Sequence, residues 1–394
     1  MIQLSNKIEF NKTNMFQSKL IHHCFDSLSS AGGGVRTYVE SLIQMQPDNV
    51  SNFPIDCLNA VNQSHYELLH VHQEKLLWNV SSECPVVFTM HNHSAYCPSG
   101  TKYLQTSGMA CDRMMSLEGC LFGHLVDGCG SRRPQKIAQN FQNAYQTLKL
   151  IKHHRVTVIA ISRYMHDQLL KHGLAPEQTV TLRNGILLPQ TTAEPLTKEV
   201  HQNKRILYVG RIVPYKGLDW LLKAMSHLEP GISLDIAGEG WDKPQAERLA
   251  TSLGLGDRVT WHGWCTAEKL DALYQQSFTL VFPSLWHEPA GLVTLEAYAR
   301  YRPVIASNLG GLPDYVNHNE TGILVKANDA KALASAITEL ASNYSKTKQM
   351  GEQGHAYLLK EFMLEQHIQY LQRIYESAIE TFQAHKASTS KVDI

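Results

Sequence analysis

The stretch HEPAGLVTLEAYARYRPVIASNLGGLPDYV, residues 287–316, carries the clearest fold signals in the chain. Two glutamates, Glu288 and Glu296, stand eight positions apart, and a proline follows the first of them. Because proline is favoured at the first position of a helix, the pattern predicts a helix that starts near Pro289. The apolar run PVIAS (303–307) and a double glycine come next, which predicts a strand followed by a tight turn.

Short apolar strands and amphipathic helices alternate along the chain in two series, which predicts an α/β protein with mainly parallel sheets. In the first series the predicted strands cover residues 20–26, 68–72, 85–91, 156–162 and 178–184. In the second series they cover residues 205–210, 233–238, 259–263, 279–284, 303–307 and 321–325. A polar, proline-containing linker separates the series, so we predict two open-sheet domains, 1–190 and 200–369. Two such domains side by side leave a deep cleft at the carboxyl ends of the strands, where α/β ligands bind.

The composition is that of a globular protein without a net charge. Of 394 residues, 43% are hydrophobic, and 36 basic residues balance 36 acidic ones, so no overall field favours nucleic acid. No apolar run approaches the ~20 residues that a membrane span needs. The opening MIQLSNKIEFNKTN lacks the basic-then-apolar pattern of a secretory signal. We therefore expect a cytoplasmic protein that does not bind nucleic acid.

Glycine-rich turns follow several predicted strands. The dinucleotide fingerprint G-x-G-x-x-G and the phosphate loop G-x-x-x-x-G-K-[ST] are both missing, which argues against dehydrogenases and nucleoside triphosphatases. The glycines occur instead at 32–34, 210–217, 238–240 and 310–311. Such turns let backbone amides approach an anion closely.

Two cations, Arg211 and Lys216, lie in one of these turns, GRIVPYKG (210–217). A guanidinium binds phosphate oxygens in a bidentate way, and an ammonium adds a point charge, so the turn predicts a phosphate site in the cleft. The predicted helix after Glu288 would add free first-turn amides between Ala290 and Leu292.

The two glutamates flank this predicted phosphate site. Glu296 would lie about 8–10 Å further along the helix, at 1.5 Å per residue. A carboxylate at that distance suits a neutral diol such as a ribose. Glu288, before the helix, points to the group beyond the phosphates on the other side.

These segments together resemble glycosyltransferase family 4, the retaining, nucleotide-sugar-dependent enzymes of the GT-B fold. The resemblance rests on VIAISRYMHDQLLKHGLAPEQTVTLRNGI (158–186), YVGRIVPYKGLDWLLKA (208–224), LDIAGEG (234–240), VTWHGW (259–264) and the glutamate pair with PVIASNLGGLPDYV. It is close over 158–325 and looser before that, through GGGVRTYVESL, HVH and VVFTMHNH. It implies two Rossmann-like domains around a deep interdomain cleft. The carboxy-terminal helices, about 370–394, would return to the first domain, which binds the acceptor.

The resemblance also implies roles for the charged residues of the second domain. Glu296 would bind the ribose of the donor nucleotide, and Glu288 would bind hydroxyls of the donor sugar. Arg211 and Lys216 would neutralise the diphosphate leaving group. No metal or other cofactor is then required for catalysis, since cationic side chains and helix dipoles act at the diphosphate.

Further donor contacts are implied on both sides of the cleft. Amides near Gly291 and Leu292 would assist at the diphosphate. Gly33 and Gly34 would bring backbone amides to the donor from the first domain. His91, at the end of VVFTMH, matches the histidine that sits beside the reacting sugar carbon.

The chain departs from the family in two places. The stretch IQMQPDNVSNFPIDCLNAVNQ (43–63) is ambiguous where the family has a clear strand. A long loop near the expected acceptor entrance contains Cys97, Cys111, Cys120 and Cys129. Grouped cysteines in a reducing compartment indicate a metal site or reduced thiols. The spacing lacks C-x2-C knuckles, so a structural zinc site and unliganded thiols both stay open.

Residues 131–155 contain six basic residues and no acidic one, with apolar residues at helical spacing. This pattern fits a helix that docks on anionic lipid, at the inner face of the membrane, or binds a lipid-linked acceptor. It fits equally an ordinary domain helix with a solvated basic face.

The sequence thus predicts a retaining glycosyltransferase that moves a sugar from a nucleotide sugar to a hydroxyl acceptor. UDP- and GDP-sugars are the expected donors, in polysaccharide, lipid-linked glycan or glycoconjugate synthesis. A nucleotide-sugar epimerase of the same fold and a non-catalytic nucleotide-sugar-binding module are the alternatives. A phosphorylase would need a pyridoxal lysine and a longer chain.

Overall fold

The computed structural model describes residues 21–25, 34–45, 50–54, 67–78, 84–153, 155–189 and 193–389. The strands are β1 Ile21–Phe25, β2 Val50–Pro54, β3 Leu68–Val71, β4 Val86–Met90, β5 Tyr103–Leu104, β6 Met109–Ala110, β7 Val156–Ala160, β8 Thr179–Thr181, β9 Arg205–Val209, β10 Ser233–Ala237, β11 Val259–Gly263, β12 Thr279–Phe282, β13 Val304–Ser307 and β14 Gly322–Val325. The helices are α1 Gly34–Met45, α2 Glu74–Leu77, α3 Leu117–Leu125, α4 Pro134–Ile151, α5 Arg163–Lys171, α6 Lys198–Gln202, α7 Leu218–Met225, α8 Lys243–Ser252, α9 Ala267–Gln276, α10 Leu292–Tyr298, α11 Ala330–Ser342, α12 Tyr344–Glu361 and α13 Leu364–Thr389.

Two parallel six-stranded sheets organise the molecule. The first has the strand order β2-β1-β3-β4-β7-β8 and the second the order β11-β10-β9-β12-β13-β14. All pairs within these sheets are parallel, and only the small β5–β6 hairpin is antiparallel among the described strands. The predicted α/β class with parallel sheets is confirmed.

The central strands are buried on both faces, as parallel sheets between helix layers require. Every residue of β3 (LLHV), β4 (VVFTM) and β12 (TLVF) is buried. Because such strands are short continuous apolar runs, the sequence predicts them to within one or two residues.

One strand of the first sheet was not predicted. Strand β2, Val50–Pro54, lies within the stretch that the sequence left ambiguous. It is an edge strand beside β1, and a proline at its end is tolerated there because one side of the strand needs no partner. A five-residue edge strand of sequence VSNFP has too little apolar periodicity to be recognised.

The last helix packs on the first sheet. In α13, Leu371 and Tyr375 share a buried cluster with Tyr38 of α1 and with Leu68 and Val87 of the sheet. This helix starts at Leu364, earlier than the predicted return at about residue 370. The predicted domain boundaries themselves stay predictions.

The two sheets are joined by several polar contacts. Arg163, at the start of α5, pairs through Nε with Asp314 Oδ1 at 2.5 Å, and Arg183 Nη1 donates to the Asp314 carbonyl at 2.9 Å. The neighbouring Tyr315 hydroxyl donates to the Ile161 carbonyl at 3.0 Å. The segment LGGLPDYV after β13 therefore joins the second sheet to the end of β7 in the first.

Across the stretches that the structure describes, no helix combines the length and apolar character needed to cross a membrane.

Candidate active site

The strand order of the second sheet locates a crevice at its carboxyl edge. The chain passes from β9 to β10 on one side and later returns to β12 on the other side of β9. When the loops after two neighbouring strands run to opposite sides of a sheet, they diverge, and a crevice that can bind a ligand opens between them. The β9 loop carries Arg211 and Lys216, and the β12 loop carries Glu288. The fold therefore brings these three predicted residues to one crevice.

Lys216 and Glu288 form a direct ion pair in this crevice. Lys216 Nζ lies 2.7 Å from Glu288 Oε1, which also accepts a hydrogen bond from Ser284 Oγ. The Glu288 residue is only 3% exposed. The ammonium also lies 5.4 Å from the centre of the Trp286 ring, within cation–π range. Lys216 thus fixes the Glu288 carboxylate, and the two residues act as one unit.

Two glycines permit the close approach of these loops. Gly217 has a φ of +74°, and a Cβ there would lie 1.7 Å from the Pro283 carbonyl oxygen. Gly310 has a φ of +60°, and a Cβ there would lie 2.6 Å from the Glu288 amide nitrogen. Because left-handed backbone and the absence of a side chain are both needed, glycine is required at each position. Both glycines position the loop that carries Glu288.

Three of the glycine amides in the predicted anion-binding turns are already used within the protein. The Gly210 amide donates to the Ala237 carbonyl, and the Gly238 amide donates to the Gly263 carbonyl. The Gly311 amide donates to the Glu288 carbonyl at 2.7 Å. These N–H groups tie neighbouring loops together, so they are not available to a phosphate.

Arg211 remains available to an anion. Its side chain is exposed, and Nη2 donates to the Tyr215 hydroxyl at 3.2 Å. Within the described part of the chain, no carboxylate forms an ion pair with it. A guanidinium at the crevice without a carboxylate partner keeps its donors for phosphate oxygens.

The helix after Glu288 starts later than predicted. Gly291 is the N-cap and α10 begins at Leu292, not at Pro289. The Glu288 carbonyl accepts a hydrogen bond from the Gly311 amide, and residues 289–291 are not helical. The first-turn amides therefore belong to Leu292 and Val293.

Gly34 of the first domain lies opposite this helix start. A Cβ on Gly34 would lie 2.7 Å from Leu292 Cδ1, so the amino-terminal ends of α1 and α10 meet across the cleft. The structure thus brings Gly34, Gly291 and Leu292 together. Gly33 lies outside the described residues.

Glu296 lies in α10 in a half-buried position. Its Oε2 accepts a hydrogen bond from the Tyr274 hydroxyl at 3.1 Å. Burial raises the pKa of Glu296, while the nearby Arg300 guanidinium and the Tyr274 hydrogen bond lower it. Arg300 does not bind this carboxylate directly, since its Nε donates to Asp271 Oδ1 at 2.7 Å. Sequence reasoning missed Tyr274 and Arg300, because neither stands in a recognisable motif.

His91 follows β4 in the first domain, as predicted from VVFTMH. Its Nε2 lies 3.2 Å from His72 Nδ1, and its ring meets the Tyr38 ring edge-on at 5.4 Å. Burial lowers the pKa of His91 to about 3, so the imidazole is neutral. A neutral imidazole can donate one hydrogen bond and accept one, but it supplies no charge.

A second histidine, His93, connects the two domains and was not predicted. Its Nε2 lies 2.6 Å from the His287 carbonyl oxygen and therefore donates to it. His287 precedes Glu288, and its ring stacks on Tyr164 at 4.5 Å. In a chain with 20 histidines, sequence position alone does not distinguish His93 from the others.

The four predicted cysteines gather in one place. All of them line a small cavity of about 20 Å³ in the segment between Cys97 and Cys129. Burial and, to a lesser extent, the nearby Cys97 thiol raise the pKa of the Cys129 thiol to about 12. As the side chains stand, no three cysteine, histidine, aspartate or glutamate residues of the described ranges have an arrangement that could hold a metal ion.

The basic helix predicted at 131–155 is α4. Three of the four residues of its apolar stripe, Ile137, Phe141 and Leu148, are buried in the first domain, and the fourth, Tyr145, is exposed. Most of the stripe is therefore not available to a lipid surface. Arg132, Arg133 and Lys136 are exposed. The interpretation as a domain helix with a solvated basic face describes this helix best.

The fold is that of GT-B glycosyltransferase structures. The Anabaena protein HepE, solved in complex with UDP, superposes with a TM-score of 0.69 at 17% identity, over 91% of this chain and 100% of that one. At this identity the likeness establishes the fold alone.

Residues 189–357 match the family model described as Glycosyl transferases group 1. This segment is therefore a glycosyltransferase group 1 domain. The lipopolysaccharide core biosynthesis glycosyltransferase of Rhizobium meliloti is 31% identical over 160 residues, which are 41% of this chain and 46% of that protein. The alpha-maltose-1-phosphate synthase of Mycolicibacterium smegmatis is 29% identical over 314 residues, 72% of this chain and 77% of that protein. The first match thus spans less than half of the relative's length.

Proposed function

We propose that this protein is a retaining glycosyltransferase that transfers a sugar from a nucleoside-diphosphate sugar to a hydroxyl acceptor. The observation that carries the proposal is the crevice at β9 and β12. There Arg211, which has no carboxylate partner among the described residues, and the Lys216–Glu288 pair lie at the carboxyl ends of parallel strands. Gly34 of the first domain faces the same cleft. These residues suit the binding of a diphosphate that carries a ribose on one side and a sugar on the other.

The transfer separates charge, and the crevice residues fit that requirement. The bond between the anomeric carbon and the diphosphate oxygen breaks, and its electron pair stays on the diphosphate. The acceptor oxygen forms the new bond on the same face of the sugar, and its proton passes to the leaving phosphate. Because negative charge grows on the diphosphate, Arg211 and Lys216 stabilise the transition state more than the ground state. In the proposed reaction, no metal ion or cofactor takes part.

The Lys216–Glu288 pair would contact both the diphosphate and the sugar of the donor. With one ammonium proton directed at Glu288 Oε1, Lys216 keeps further donors for a phosphate oxygen. Glu288 keeps acceptor sites for hydroxyls of the donor sugar. His91 would contact the sugar from the first domain as a neutral hydrogen-bonding group.

The ribose of the donor would bind at Glu296. Its carboxylate accepts one hydrogen bond from Tyr274 and has acceptor capacity left for a diol. HepE has been solved with UDP and with UDP-glucose, which makes uridine nucleotides the first to test, with GDP-sugars next. The proposed product is a sugar attached to a polysaccharide, a lipid-linked glycan or another glycoconjugate.

Membrane contact would involve the exposed side chains around α3 and the start of α4. Leu117, Phe122 and Leu125 are exposed on α3, and Arg132 and Arg133 are exposed nearby in sequence. Apolar and basic side chains together suit an anionic lipid surface that presents a lipid-linked acceptor. Flotation with anionic and neutral vesicles tests this contact, and retention in the soluble fraction with both would exclude it.

The activity is tested by incubating the purified chain with UDP-, GDP-, ADP- and dTDP-sugars and a panel of hydroxyl acceptors. We expect acceptor-dependent release of one nucleoside diphosphate and a product that keeps the anomeric configuration of the donor, measured by NMR. Conversion of the nucleotide sugar to its epimer without an acceptor would identify an epimerase. Tight nucleotide binding with no turnover of any donor would identify a binding module.

A further inference from the structure

The segment between Cys97 and Cys129 lacks an apolar core of its own. It contains the two-residue strands β5 and β6 and the helix α3, joined by loops. Seven of its large apolar side chains are between 39% and 62% exposed: Met109, Met114, Leu117, Leu121, Phe122, Leu125 and Val126. Small units that cannot bury enough apolar surface are usually held together by disulfides or a metal ion.

Four partly buried thiols of this segment come together at one cavity. Cys97 follows the β4 loop, Cys111 follows β6, Cys120 lies in α3, and Cys129 lies in the loop after it. All four line one cavity of about 20 Å³, which has room for a single water-sized or ion-sized occupant. Four pieces of chain thus each bring one sulfur to the same small cavity.

A buried histidine in the same cavity wall gives an independent indication. His124 is fully buried, and its Nδ1 lies 3.0 Å from the Ser131 carbonyl oxygen, to which it donates. Its Nε2 is buried and has no hydrogen-bond partner. Histidines that bind a metal through one ring nitrogen typically donate the other N–H to a carbonyl or carboxylate.

We propose that this segment contains a structural Zn²⁺ site whose ligands are drawn from the four thiolates and His124 Nε2. Tetrahedral zinc takes four sulfur or nitrogen ligands, and this cavity offers five. These side chains do not yet stand at ligand positions in the structure, so metal binding requires rotation about the cysteine χ1 torsions. Each thiol that binds releases one proton to solvent.

The site would fix a loop that reaches the other domain. The Tyr103 ring meets the ring of Tyr215 edge-on at 6.1 Å, and Tyr215 lies directly before Lys216 in the same loop. Asp112 Oδ1 lies 2.8 Å from His287 Nε2, next to Glu288. A metal ion bound between β5–β6 and α3 would therefore fix the positions of Tyr103 and Asp112, which contact residues beside the candidate active site.

The first test measures metal content in the full chain, purified with reductant and without chelators. Inductively coupled plasma mass spectrometry should find about one zinc per chain in the wild type, as for a closed structural site. The control Cys84→Ser, which lies outside the cavity, should keep that content. Cys111→Ser and Cys129→Ser should each lose most of it. A wild type that holds no zinc after incubation with ZnCl₂ and gel filtration would overturn the proposal.

A second measurement remains informative if the cysteine variants fail to fold. Wild-type protein loaded with Co²⁺ should show thiolate-to-cobalt charge transfer and the ligand-field bands of a tetrahedral site. Zinc should also protect the cavity thiols from a thiol reagent. Equal reactivity of all thiols with and without zinc, or two disulfides found by mass spectrometry of the unreduced protein, would contradict the proposal.

Discussion

At the residue scale, the most informative contact is the buried pair of Lys216 and Glu288. Lys216→Ala should lower turnover by about 100-fold or more, because it removes a donor from the developing diphosphate charge. It should also destabilise the fold by roughly 3 kcal/mol, since Glu288 would keep a buried charge without a partner. Steady-state kinetics and urea unfolding measure the two effects separately.

The double variant Lys216→Ala/Glu288→Gln separates catalysis from stability. Without a buried charge, its free energy of unfolding should recover towards the wild-type value, while turnover stays low. Recovery of turnover along with stability would show that Lys216 acts only by holding the fold. Near-normal turnover in Lys216→Ala alone would remove its proposed role.

Glu296 allows a prediction about donor affinity. Glu296→Ala should weaken nucleoside diphosphate binding by about 10- to 100-fold, the loss of one or two hydrogen bonds to a charged group. The turnover of saturated enzyme should change less. Isothermal titration calorimetry measures the affinity, and Glu320→Ala, an exposed glutamate outside the crevice, is the matched control. Equal losses in both variants would show that Glu296 has no specific contact.

At the scale of loops, Gly310 positions the segment that carries Glu288. In Gly310→Ala the new Cβ would meet the Glu288 amide nitrogen at 2.6 Å, and the backbone at a φ of +60° would be strained by about 1–2 kcal/mol. We expect loss of both stability and turnover, measured by thermal unfolding and kinetics. Gly254→Ala is the control, because it has a φ of +71° but nothing within 4 Å. It should lose stability only, and a matching loss of turnover there would contradict this account.

The strands were predictable from sequence where burial is complete. Runs such as VVFTM of β4 are apolar throughout because both faces are covered, so composition alone marks them. The edge strand β2 and the two-residue β5 and β6 lack that signal and were missed.

The residues of the candidate site were predicted from the sequence, but their contacts were not. Arg211, Lys216 and Glu288 were expected from charged residues after strands, and Glu296 from its position along the following helix. Their roles in binding a donor stay predictions. The Lys216–Glu288 pair joins residues 72 positions apart, and it depends on β9 and β12 being neighbours in the sheet. Strand order is a property of tertiary packing, which local residue patterns do not encode.

At the scale of the whole molecule, buried neutral histidines make stability depend on pH. Burial lowers the pKa of His93 to about 3 and of His367 to about 4. In the unfolded chain each has a pKa of about 6.5, so the unfolded state binds more protons between about pH 4 and 6.5. The stabilisation is therefore complete above about pH 6.5 and is lost as the pH falls.

Urea unfolding at pH 7 and pH 5 measures this dependence. Each such histidine should contribute about 2 kcal/mol to the loss of stability between the two values. His367→Gln should remove its share of the pH dependence, whereas His227→Gln, an exposed histidine, should leave it unchanged. A free energy of unfolding that stays constant from pH 7 to pH 5 would contradict the neutral, buried state of these rings.

The central claim is that the cleft binds a nucleoside diphosphate without a metal. Thermal unfolding with UDP, GDP, ADP and dTDP at millimolar concentration, without added metal, tests it most directly. Binding at about 100 times the dissociation constant stabilises the folded state by ~2.7 kcal/mol, which raises the melting temperature by a few degrees. We predict such a shift with one nucleotide and a much smaller one in Arg211→Ala and Glu296→Ala. No shift with any of the four nucleotides in a folded sample would contradict the claim.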